Sequence, residues 1–122
     1  MKITRLYTNQ DQDSVFEDID IPLKNAGDIG SLSKRFAAKD LIFRETGGDY
    51  DYDFHNAPER QFIFMLDSAI EIETSRGEKR QFKGGDILLV EDISGKGHKT
   101  RSIDGNLRRS IFVTLGEEDV VG

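Results

Sequence analysis

The sequence predicts an all-β fold, and three observations carry that prediction. Its apolar residues come in short runs, such as Phe62 to Leu66 and Ile87 to Val90, the length of buried strands. Other segments alternate with period two, as in Ile70-Glu71-Ile72-Glu73 and in Ile111, Val113 and Leu115, which share a strand face. Glycine is common (12) and proline rare (2), and the glycines fall between the apolar segments, where strands turn. No helical period is sustained and no internal repeat appears.

Taken in order, Lys2 to Thr8 alternates enough for an edge strand. Asp13 to Asp18 has room for one helical turn. Ile19, Ile21 and Leu23 alternate around Pro22, which favours an edge position. Gly27 to Ser33 is rich in turn residues. The pattern sharpens after residue 40. Leu41 to Thr46 is a strand stopped by Gly47-Gly48, and residues 49–54 alternate acid with aromatic. Arg60 to Leu66 is apolar on both faces. Ile70 to Glu73 and Lys79 to Phe82 flank the hairpin signal Arg76-Gly77. Ile87 to Val90 follows Gly84-Gly85-Asp86. His98 to Ile103 follows Ser94-Gly95-Lys96-Gly97, and Arg109 to Leu115 follows Asp104-Gly105-Asn106. Eight or more short strands without intervening helices predict a sandwich, a jelly roll or a small closed barrel. Ile70, Ile72, Ile87, Leu89, Ile111 and Val113 are the expected core.

The 122 residues fit one domain: N-terminal edge strands and turns over 1–37, a barrel over 40–115 and an acidic tail over 116–122. The absence of cysteine removes disulfides, thiolate metal sites and cysteine nucleophiles. With 17 basic against 23 acidic side chains, the net charge of −6 disfavours a nucleic-acid partner. The basic pairs Lys34-Arg35, Lys79-Arg80 and Arg108-Arg109 are each expected on solvated strand faces. No apolar stretch is long enough to span a membrane, and Met1 to Arg5 is not followed by a signal-peptide core. The expected location is the cytoplasm.

The chemistry centres on the two histidines, His55 and His98. One precedes an apolar strand and the other follows a glycine-rich turn. Around them the chain resembles the cupin superfamily. The first cupin motif, H-x-H-x(3,4)-E-x(6)-G, aligns with His55, Ala57, Gln61 and Ser68. The second, G-x(5)-P-x-G-x(2)-H-x(3)-N, opens at Gly85-Asp86 and meets Gly95-x-x-His98 after two extra residues, with Ile93 on its proline and Ser102 on its asparagine. The resemblance spans about residues 40–115. The strings F-R-E-T, H-N-A-P-x-R-Q, G-G-D-I-L-L-V-E-D and G-K-G-H are similar to a group of small bacterial single-domain cupins without an established activity. It implies a double-stranded β-helix, that is, a jelly-roll barrel, with a small-molecule site inside and a homodimeric assembly.

A typical cupin metal site uses three histidines and a glutamate; this chain offers His55, His98 and Gln61. The resemblance therefore implies at most one weakly held divalent transition metal, zinc, iron, nickel or copper, with a carboxylate from Glu59, Glu91 or Asp92 as a further donor. Arg60 is a candidate anion binder at the barrel mouth, with a surface salt bridge as the plain alternative. Arg44 is weighed as a substrate clamp against an ordinary strand-face ion pair. Tyr50, Tyr52 and Phe54 are weighed as a stacking platform against strand packing.

Residues 55, 57 and 61 share parity. In a continuous strand they share an inner wall with Ile63 and Met65, leaving Phe62 and Phe64 outside in need of a second layer or a partner subunit. Two functions stay open: a small-molecule enzyme of oxygenase, isomerase or lyase type, and a non-catalytic ligand-binding or sensor domain with a degenerate metal site. A metal-free sugar-nucleotide isomerase would need a basic pocket, which an acidic chain is expected to offer poorly.

Overall fold

The computed structural model describes residues 1–116. Its strands are β1 (Lys2–Thr8), β2 (Ser14–Asp20), β3 (Lys24–Asn25), β4 (Ser31–Leu32), β5 (Ala38–Thr46), β6 (Asp51–His55), β7 (Gln61–Met65), β8 (Ala69–Thr74), β9 (Lys79–Lys83), β10 (Ile87–Val90), β11 (His98–Ser102) and β12 (Arg108–Leu115). One 3-10 turn, Gly27–Ile29, lies between β3 and β4. The larger sheet has six strands in the order β2-β1-β10-β7-β12-β5; the second has four, β6-β11-β8-β9.

The last eight strands pair antiparallel as β5 with β12, β6 with β11, β7 with β10 and β8 with β9. This is one long ladder rolled up so that alternate pairs fall on opposite sheets, which is the all-β jelly-roll barrel of the cupin type. The rolled ladder encloses Met65, Ile70, Ile72, Phe82, Leu88 and Val90, joined by Leu6 and Ala57. Among the described residues, no helix is long and apolar enough to cross a membrane.

The N-terminal segment departs from expectation. Lys2–Thr8 is not an edge: β1 lies between β2 and β10, parallel to the latter. Residues 14–18 form strand rather than a helical turn. Asn9 Oδ1 accepts from the backbone N–H of Asp11 and Asp13, closing a tight turn. Val15 and Phe16 then pair back onto Tyr7 and Leu6. A cross-strand partner outweighs weak local preference here.

That hairpin extends the larger sheet, and the segment after it covers part of the sheet's outer face, where Phe36 packs edge-on against Phe62 with ring centres 6.0 Å apart. Ile3, Ile21, Phe62, Leu89 and Leu115 form a second apolar cluster, with Ile19, Phe36, Phe64, Ile87 and Val113 against it. Phe62 and Phe64 therefore find their second layer within the same chain. Of the expected core, Ile70, Ile72 and Leu89 are buried. Ile87, Ile111 and Val113 are only half-buried, because they point to this thinner outer layer.

Ser68 stands where the cupin motif carries its closing glycine, and it holds a left-handed φ of 60°. A side chain there is strained; the Ser68 hydroxyl offsets part of that cost by donating to the Leu107 carbonyl at 2.7 Å.

Candidate active site in the barrel cavity

Between the two sheets lies a cavity of about 580 Å³, within the range of small-molecule sites. From the four-stranded side it is lined by Tyr52, His55, Ile70, Ile72, His98 and Thr100; from the six-stranded side by Ile42, Arg44, Gln61, Ile63, Met65, Val90, Arg108, Ser110 and Phe112.

The histidines meet because β6 and β11 are neighbours and His55 is directly opposite His98 in their register. Their ring centres are 4.6 Å apart. Gly97 makes that approach possible. It has φ 76°, and a Cβ on it would sit 2.3 Å from the His55 carbonyl oxygen. The turn through Gly95-Lys96-Gly97 is thus a close-packing device. It is held from outside by the Ser14 hydroxyl, which donates to the Gly97 carbonyl at 2.7 Å.

Each imidazole has one nitrogen assigned. His55 Nδ1 is 2.8 Å from the Asp53 carbonyl oxygen, which can only accept, so Nδ1 carries the proton and Nε2 is left as the acceptor. His98 Nδ1 is 2.5 Å from Asp92 Oδ2, and both groups are buried. A carboxylate on Nδ1 fixes the tautomer and stabilises the imidazolium that forms when Nε2 takes a proton. Tyr52 packs edge-on against His55 with ring centres 4.3 Å apart. Burial pushes the His55 pKa below its ordinary value, and His98 and Arg44 add to the effect against the opposing Asp53 hydrogen bond and Asp92 charge.

The remaining candidates are placed as follows. Gln61 is buried and lines the cavity, but on the wall opposite His55. Strand β6 ends at His55 and β7 begins at Gln61, so residues 56–60 cross between sheets and shared parity does not put the two on one face. Ala57 N–H donates to the Asp92 carbonyl at 3.1 Å, tying that crossover to the loop that carries Asp92. Arg60 is not among the cavity-lining residues. Its Nε donates to Glu91 at 2.5 Å and its Nη1 to the Gly116 carbonyl at 2.6 Å. Glu91 also pairs with Arg5, and Glu59 with Lys39.

Phe54 is exposed, under the Lys99 ammonium, while Tyr50 and Tyr52 reach the cavity. Arg44, weighed between a substrate clamp and a strand-face ion pair, and Arg108, expected on a solvated strand face, both line the cavity. Arg44 makes no ion pair among the described residues, and Arg108 is only 4% exposed. The polar face of β12, with Arg108, Ser110 and Phe112 on one parity, was the available signal. It was masked by the more conspicuous apolar parity of Ile111 and Val113.

Toward a divalent metal this donor set is incomplete. The cavity is lined by two imidazoles and one neutral amide. Asp92, the nearest carboxylate, is turned to His98 Nδ1, and two guanidinium groups share the same space. Among the described residues no group of three or more histidine, aspartate or glutamate side chains is arranged to hold a metal ion. The residues fit a transition metal only weakly.

No family model matches the chain, and no curated protein matches it. Among solved structures it is similar to protein NMB1881 from Neisseria meningitidis, at 16% identity and a TM-score of 0.49, over 68% of this chain and 88% of that one. It is also similar to a protein named for ethanolamine utilization, protein Q, from Salmonella typhimurium, at 10% identity and a TM-score of 0.49, over 94% and 95% of the two chains. Likenesses of that strength leave the fold to rest on the strand order itself.

Proposed function

We propose that this chain is a small single-domain cupin that binds a small molecule in its barrel and acts on it by proton transfer, with His98 as the base and Asp92 orienting it. The observation that carries this is the buried Asp92–His98 pair, with the His55 ring centre 4.6 Å from that of His98. A base needs a free nitrogen facing the substrate, a fixed tautomer and a stabilised conjugate acid; the Asp92 contact supplies the last two. His55 stays neutral near pH 7, so it accepts a hydrogen bond from a substrate hydroxyl and places it against His98.

The test is incubation in D2O with a panel of small hydroxy and oxo compounds, followed by proton NMR. Exchange of a carbon-bound hydrogen that disappears in His98→Asn supports the proposal. Binding without exchange in any compound returns the protein to the second reading, a ligand-binding or sensor domain, favoured by the incomplete metal donor set. A homodimer belongs to the same proposal. β5 is an edge strand of the larger sheet, and its Leu41 and Phe43 are 60% and 75% exposed, an apolar strip suited to a second copy.

A further inference from the structure

The least satisfied group in the cavity is Arg108. It is 4% exposed, yet its Nε and Nη1 are buried with no hydrogen-bond partner. A buried guanidinium without a counter-ion is expensive to keep, and such groups normally find an anion. None comes from the described residues. The charged group that acts on Arg108 is Arg44, which repels it.

The two arginines flank one ring: the Arg108 and Arg44 guanidinium carbons lie 5.2 and 5.3 Å from the Tyr50 ring centre. The ladder between β5 and β12 places them there. Arg108 is opposite Thr46 and Ser110 is opposite Arg44, so all four belong to the inner face. The hydroxyls of Ser110 and Thr46 are likewise buried and without a partner. Two cations and the Ser110 hydroxyl thus line one wall of a cavity, with the Thr46 hydroxyl on the same strand face, in a chain whose net charge is −6.

We propose that Arg108, with Arg44 and Ser110, forms a subsite for an anionic group, a carboxylate or a phosphate, on the ligand of the barrel. The inference rests on the cavity being the ligand site and is independent of the histidine chemistry. Guanidinium forks match the paired oxygens of either group. The wall faces His55 and His98 across the cavity, so an acid anchored on Arg108 presents its neighbouring atoms to the imidazoles. The basic pocket that the overall charge argues against is present locally.

The experiment titrates inorganic phosphate, acetate and benzoate, with benzyl alcohol as the uncharged control, at constant ionic strength. Arginine Nε–H NMR signals and tyrosine fluorescence report binding. Parent protein, Arg108→Gln, Arg108→Lys, Arg44→Gln and His98→Asn are compared, each with a melting curve.

Saturable movement of the Arg108 signal with phosphate or a carboxylate is expected, and which of them binds tighter identifies the group. Affinity should fall about tenfold or more in Arg108→Gln, partly return in Arg108→Lys and persist in His98→Asn. That last variant separates failure of the subsite from failure of the proposed base. A structural arginine would stabilise the fold, whereas one kept for a ligand leaves anion-free Arg108→Gln melting at or above the parent. An Arg108 signal unmoved by all three anions overturns the proposal. So does unchanged affinity in Arg108→Gln, or a lowered melting temperature with anion binding intact. If Arg108→Gln fails to fold, Arg44→Gln decides by the same affinity criterion.

Discussion

On the four-stranded wall of the cavity both imidazoles have Nδ1 tied down, His55 to the Asp53 carbonyl and His98 to Asp92. On the six-stranded wall Arg108 Nε and Nη1 and the Ser110 and Thr46 hydroxyls are buried without a hydrogen-bond partner among the described residues. The difference is one of completeness. On the histidine wall both rings are held by the chain itself, by a backbone carbonyl and by Asp92 Oδ2, and only Asp92 Oδ1 is buried without a partner among the described residues, so the ring geometry exists before any ligand arrives. The arginine wall holds polar groups that are paired only when something else enters, so its stability and its binding are coupled with opposite sign.

The sharpest way to break the comparison is to disturb the packing that sets the histidine wall. Gly97→Val adds a side chain at φ 76° against the His55 backbone. It should lower stability by about 3 kcal/mol or more, measured by urea denaturation, and separate the two rings, seen as loss of their mutual NMR contacts. Asp92→Asn should fold but lose the acceptor that fixes His98 Nδ1. The amide donates to Nδ1 instead, so the proton moves to Nε2. Nitrogen-15 NMR should show that switch, and proton-transfer activity should drop about 100-fold. A variant that keeps its tautomer would show that the Asp92 contact does not control His98.

On the opposite wall, Arg108→Gln without ligand should be no less stable than the parent, with a gain of about 1 kcal/mol as the expected size. A matching gain in Gln61→Leu would blur the contrast, because Gln61 would then be the same kind of unfulfilled group. The pH dependence of stability gives a smaller effect. Burial lowers the His55 pKa from its ordinary 6.5, so between that lowered value and about 6.5 the unfolded chain binds more protons. The His55 contribution to stability is full above about pH 6.5 and declines as pH falls through that window. His55→Gln should flatten the profile there. Phe43→Asp should have the least effect on either wall. It should shift a dimer to monomer in sedimentation while leaving the melting curve of the monomer and anion binding in place.

The strand pattern after residue 40 could be read directly because short apolar runs and turn residues are local signals, and the rolled ladder follows their spacing. The hairpin formed by β1 and β2 was less legible. Its residues have weak local preference and become strand by pairing with each other and with β10. His55 and His98 could be singled out by type and motif position. Arg108 could not, since a surface arginine and a buried one look the same until the facing strand is known. Parity with His55 points Gln61 to the wrong wall, because parity has meaning only within one strand and Pro58 lies in a crossover between two.

The sequence by itself determined the class of fold, the turn positions and the two imidazoles, because each depends on residue type and short spacing. Tertiary structure alone decided that Asp92 backs His98, that Gly97 lets two strands close on each other, and that Arg44 and Arg108 face inward around Tyr50. Those are relations between strands distant in sequence, set by ladder register and by which sheet each strand joins. No local pattern carries that information, because a side chain's charge and polarity do not say what will be opposite it.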